Sequence, residues 1–147
     1  MKFWDSSAIV ALCLNEPASR RVRSQIESDA DMITWWTSAV ECASAIARQR
    51  REGNLSNREA QEAQRVLSAI QERWYEVTPG GILRERAIRI LRVHPLRAAD
   101  ALQLSAAIDW SGETARGDFV TLDNRLAEAA QLEGFNLPLQ RFEEDLG

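Results

Sequence analysis

Residues 2–14, KFWDSSAIVALCL, change character at one point, and that point decides the fold. Lys2 to Asp5 reads as a short strand. Ser6-Ser7 follow, and the apolar run Ala8–Leu14 reads as a buried helix. The same order recurs along the chain. Met32–Trp36 (MITWW) is β-branched and aromatic, and Thr37-Ser38 then open a helix to about Glu52, ended by Gly53-Asn54. Phe119–Leu122 is a strand, and Asn124–Glu133 a helix ended by Gly134. Between these lie a helix opened by Pro17 through about Ser28, a helix capped by Ser56, and a third strand, Tyr75–Thr78. The turn Pro79-Gly80-Gly81, a helix through about Leu91 and an alanine-rich helix, Arg97–Trp110, come next. Phe135–Leu139, with Pro138, reads as a last edge strand. Strands alternating with helices predict an α/β fold, a three-layer α/β/α sandwich around a mainly parallel sheet.

The 147 residues suit one compact domain, 1–147, with no repeat or linker. No run of 18 or more apolar residues is present, so a membrane span is excluded. The N-terminal apolar stretch is too short, and follows the wrong residues, for a signal peptide. Cys13 and Cys42 form no CxxC pair, and with one histidine a zinc site is not expected. Both read as small core residues of a cytoplasmic protein. The net charge of −4 argues against a broad basic face for nucleic acid, but not against acids gathered in one pocket.

In an open parallel sheet the site lies at the carboxyl ends of the strands. Four acids fall there. Asp5 ends the first strand, Glu41 and Asp100 lie in first turns of helices, and Asp123 follows the fourth strand. Ser7 and Thr121 stand beside two of them, placed to contact a metal-bound water. Each acid also has a plainer reading. Asp5 and Asp123 suit helix caps, Ser38–Glu41 matches the capping box S-x-x-E, and Asp100–Gln103 reads as the same device. Capping alone, however, gives no reason for carboxylates at four helix starts along one sheet edge. Crowded carboxylates raise one another's pKa, and a helix terminus offsets only about 0.3–1 kcal/mol. A hard divalent ion, Mg2+ or alternatively Mn2+, resolves that conflict, and the chemistry it suits is phosphodiester hydrolysis. His94 reads as a turn or surface residue. Arg48, Arg50, Arg51 and Arg116 read as solvated faces or as contacts to substrate phosphate. Trp35 and Trp36 read as sheet core or base-stacking residues. The apolar stripe between Ser56 and Trp74 is expected to pack in the core, with a partner groove or dimer face as the alternative.

Four segments together resemble VapC-like PIN-domain toxins: FWDSSAIVALCLNEP, ITWWTSAVECASAIARQRREGNLS, LRAADALQLSAAI and FVTLDNRLAEAAQLEGF. The likeness runs from about residue 2 to 137. It implies an endoribonuclease dependent on magnesium or manganese, frequent homodimers, and a cognate antitoxin that inserts a segment near the site. It places the family's acids on Asp5, Glu41, Asp100 and, by V-T-x-D, Asp123. Asp118 competes for the last role but precedes the strand. Asn124, where arginine is common, and the bulky Trp35-Trp36 depart from the family pattern and bear on RNA preference. A non-catalytic acidic binding module and a housekeeping PIN nuclease without an antitoxin are the other readings. A phosphoryl-accepting receiver domain is disfavoured, because Lys2 is the only lysine and a late one is required.

Overall fold

The computed structural model describes residues 1–112 and 116–140. Within them the chain runs β1 (Lys2–Trp4), α1 (Ser6–Cys13), α2 (Ser19–Ser28), β2 (Met32–Trp35), α3 (Ser38–Arg51) and α4 (Asn57–Gln71), then β3 (Tyr75–Val77), α5 (Gly81–Val93), α6 (Ala98–Ser111), β4 (Asp118–Val120) and α7 (Asn124–Leu132). The four strands form one sheet in the order β3-β2-β1-β4, every pairing parallel. The α/β expectation holds, with helices in both covering layers.

Alternation along the strands sorts the core into two halves. Phe3, Ile33, Trp35 and Phe119 point toward α5, α6 and α7. Trp4, Met32 and Val120 point the other way, toward α1 to α4. In the first half Phe3 stacks on Phe119 with ring centroids 5.3 Å apart, and Phe135 meets Phe119 edge-on at 5.6 Å. Lys2 is buried on the second face. Its ammonium donates to the Gln25 carbonyl (3.2 Å), to the Gln25 side chain (2.9 Å) and to Ser28 Oγ (2.5 Å), so the only lysine clamps α2 to the sheet.

The strand order fixes where a site can form. From β1 the chain steps outward to β2 and β3 through helices on one face. It then returns through α5 and α6 on the other face and enters β4 beside β1. Right-handed crossovers in opposite directions must lie on opposite faces, so the reversal opens a crevice at the carboxyl ends of β1 and β4.

Several local expectations change. Pro17 sits in a turn, and α2 begins two residues later. Ser19 Oγ donates to the Leu14 carbonyl and accepts from the Glu16 amide, at 2.9 Å each, closing that turn. Phe135–Leu139 is not a strand. It makes one parallel bridge, Asn136 with Asp118, and Pro138 has no N–H for the next rung. His94 does end α5, but it is buried rather than on the surface, and its Nε2 lies 2.8 Å from Glu133 Oε1. The S-x-x-E box forms at Ser56–Glu59, where the Ser56 amide donates to Glu59 Oε1 and the Glu59 amide to Ser56 Oγ. At Ser38–Glu41 it does not form, because Thr37 takes the cap position and the Glu41 carboxylate is held elsewhere. Asp100–Gln103 forms none either, since α6 is capped by Arg97 with no side-chain bond. Ala60, Ala63 and Leu67 of α4, and Trp74 just beyond its end, pack in the core as expected. No helix among the described residues is long and apolar enough to cross a membrane.

Candidate active site

Asp5 is the first residue beyond β1, and its backbone amide donates to the Val120 carbonyl of β4 at 3.0 Å. The side chain turns inward and is almost wholly buried. Its Oδ2 accepts three hydrogen bonds: from the Ser7 amide (3.3 Å), from Ser7 Oγ (2.6 Å) and from Thr121 Oγ1 (2.8 Å). The same two hydroxyls accept from the end of β4, Ser7 Oγ from the Leu122 amide and Thr121 Oγ1 from the Asp123 amide, both at 3.0 Å. Ser7 and Thr121 therefore stitch the exits of β1 and β4 together around one carboxylate. The expected caps are also real. Asp5 caps α1, and Asp123 caps α7, with Oδ1 accepting from the Arg125 amide (2.9 Å) and the Leu126 amide (3.1 Å).

Glu41 approaches from the first turn of α3. Its Oε2 accepts from Thr37 Oγ1 (2.8 Å) and from Gln103 Nε2 on α6 (3.0 Å). Asp100 lies one turn before Gln103 on α6. Asp5, Glu41, Asp100 and Asp123 all line a single cleft of about 930 Å³ at the switch point. Asp118 pairs with Lys2 at the opposite end of the sheet and does not line it.

The electrostatics of this cleft run against ionisation. Burial pushes the Asp5 carboxyl above its ordinary 3.8 and outweighs the three donors, with Asp100 adding to the rise. Burial raises Glu41 too, and Asp5 and Asp100 add repulsion. Asp100 is raised by burial and by Asp123, and lowered less by Arg97 and Arg125. Three carboxylates whose charge is disfavoured, gathered with Asp123 in one cleft and offering oxygen donors, fit a hard divalent cation. No three acidic, His or Cys side chains among the described residues stand close enough to form a ready cage. The fit is therefore to an ion that keeps several of its waters and takes one or two carboxylates directly.

Sequence reading missed three partners. Gln103 looked like a cap partner of its own helix, yet it reaches across to α3. Arg97 and Arg125 line the cleft beside Asp100 and Asp123; Arg48, already a candidate phosphate contact, lines it from α3. The available signal was spacing: Arg97 and Gln103 each lie three residues from Asp100, and Arg125 two from Asp123. Of the other named residues, Trp35 is buried and Trp36 is 54% exposed. Arg116 is tied to the Gly112 and Glu133 carbonyls, away from the cleft.

The fold and cleft define a class, an open parallel α/β sheet whose switch point is ringed by carboxylates. The PIN domain family model matches residues 2–132, and the chain belongs to that family. Three solved structures share the fold. VapC20 of Mycobacterium tuberculosis, described as a sarcin-ricin loop cleaving toxin, is 15% identical with a TM-score of 0.67, over 88% of this chain and 95% of that one. PAE2754 from Pyrobaculum aerophilum is 18% identical with a TM-score of 0.66, over 93% and 83%. FitAB bound to a DNA fragment is 16% identical with a TM-score of 0.65, over 97% and 98%. Comparison with curated proteins finds no match.

Proposed function

We propose that this chain is a divalent-metal-dependent endoribonuclease, acting as the toxin of a toxin–antitoxin pair. One observation carries the reading: carboxylates from four separate elements line one cleft at the switch point of a PIN fold. Membership of the family supports nuclease chemistry, and likeness to a toxin that cleaves the sarcin-ricin loop supports RNA as substrate.

Asp5 and Asp100 are the direct ligands in this reading, and Glu41 and Asp123 hold the ion's waters. Bound there, Mg2+ or Mn2+ would supply a nucleophilic water and stabilise charge on the phosphate. The chain's own residues do the rest. Ser7 and Thr121 fix the Asp5 carboxylate by donating to Oδ2, while Oδ1 takes only a long bond from Ser6 Oγ at 3.5 Å. Glu41 keeps one oxygen held and one free. Arg48, Arg97 and Arg125 are exposed on the cleft walls and suit phosphates flanking the scissile one. By family resemblance the partners are RNA, a cognate antitoxin that enters this cleft, and a second copy of the chain. The setting is the cytoplasm, and residues 1–147 act as one domain.

The test is cleavage of a panel of structured and single-stranded RNAs with Mg2+, with Mn2+ and with EDTA, by the native chain, Asp5→Asn and Asp100→Asn. Cleavage that needs the cation and disappears in both folded variants is expected. Equal cleavage by the variants refutes the assignment. Native protein that binds but never cuts RNA points instead to an acidic docking module.

A further inference from the structure

Gln103 is fully buried, and its amide nitrogen makes two hydrogen bonds, both to α3: to Ser38 Oγ at 3.1 Å and to Glu41 Oε2 at 3.0 Å. Among the described residues these are the only hydrogen bonds that join α3, in one helical layer, to α6, in the other. Its amide oxygen is buried with no partner. That imbalance has a cause. With the amide turned over, its oxygen would face the Glu41 carboxylate, and two acceptors would repel. The amide is thus oriented by Glu41, at the expense of its own carbonyl.

The geometry points to Gln103 as a positioning residue of the ion site, one that fixes Glu41 relative to Asp100. Gln103 stands one turn along α6 from Asp100, so a single short link sets the separation of two carboxylates carried on opposite layers. Together with Thr37 Oγ1 it directs both donors to Oε2 of Glu41, a residue that lines the cleft, and leaves Oε1 out of that link. A neutral amide suits this role. It holds a carboxylate still without a positive charge that would compete with the cation. A lysine or arginine at this position would neutralise the group it orients.

The inference rests on the metal-dependent reading above, and the test separates the two. Manganese binding is measured by electron paramagnetic resonance on the native chain, Gln103→Met, Glu41→Gln and the double variant. RNA kcat and KM and thermal unfolding are measured alongside. Methionine keeps the length, removes both donors and removes the orphaned carbonyl. Gln103→Met is expected to weaken manganese by about tenfold or more and to lower kcat. KM for RNA and thermal stability stay near native. In the Glu41→Gln background the same substitution adds nothing, since the group it positions is gone. Native manganese affinity in Gln103→Met, or an equal loss in both backgrounds, overturns the proposal and leaves the nuclease reading intact. A native chain that neither binds manganese nor cuts RNA sinks both. Gln103→Leu, read in the same way, stands in if Gln103→Met does not fold.

Discussion

Replacing Asp5 by asparagine separates the proposed ion ligand from the helix cap, because asparagine caps as well as aspartate. The Asn Oδ1 can take the place of Asp5 Oδ2 and keep the three donors from Ser7 and Thr121. What disappears is a buried charge that its surroundings disfavour. Without metal the variant is therefore expected to be more stable than the native chain, by on the order of 1 kcal/mol, since an uncompensated buried charge costs several kcal/mol before its hydrogen bonds offset it. With metal the order reverses. A ligand at one hundred times its Kd stabilises the folded state by about 2.7 kcal/mol. For 147 residues the unfolding entropy is about 0.3 kcal/mol per degree, so the native Tm should rise by about 9 °C. Asp5→Asn should lose most of that rise. The assay is thermal unfolding at pH 7 with EDTA and across an Mg2+ and Mn2+ series. The reasoning is refuted if the variant keeps the full cation-dependent shift, or if it is markedly less stable than the native chain in EDTA.

The advantage of Asp5→Asn in EDTA should depend on pH. A carboxyl raised in the folded state lowers stability once the pH is above its folded value, so the Tm gap is widest near pH 7. It closes as the pH falls through that value and is gone below the ordinary 3.8, as paired melts from pH 7 to 3 will show. Arg97→Ala with Arg125→Ala should raise KM for RNA more than it lowers kcat. It should also flatten the salt dependence of RNA binding by about 0.7 in log–log slope for each phosphate no longer neutralised, measured by fluorescence anisotropy. His94→Ala should cost about 1–3 kcal/mol in chemical denaturation, because it strips a buried partner from Glu133, and should leave cleavage unchanged.

The parallel sheet and the positions of the four acids were legible because each depends on local pattern. A short apolar strand followed by a polar turn and an apolar helix places the turn at a carboxyl end. A first-turn residue such as Glu41 then faces the same edge, and Asp100 reaches it because α6 starts at that edge before running back to enter β4. The same logic puts Asp118, which opens β4 opposite Lys2, at the sheet's far end, and it does not line the cleft. What pattern could not supply was the identity of partners. Glu41 had two donors within reach. Spacing favoured the Ser38 amide of its own helix, but Thr37 and Gln103 hold it, and Gln103 is 62 residues away in sequence. His94 looked like a turn residue because Glu133, which makes its burial tolerable, lies 39 residues further on. Trp35 and Trp36 parted because alternation turns one into the core just as the strand ends. Pro138 promised an edge strand, yet its missing N–H is what stops the pairing after Asn136.

The most direct test is a manganese-soaked crystal read by anomalous diffraction. The account predicts one strong manganese peak in the cleft, with a carboxylate oxygen of Asp5 or Asp100 at about 2.1 Å and Glu41 and Asp123 within reach of its waters. A cleft free of manganese at concentrations that support RNA cleavage, or a peak bound only by residues outside these four, would contradict it.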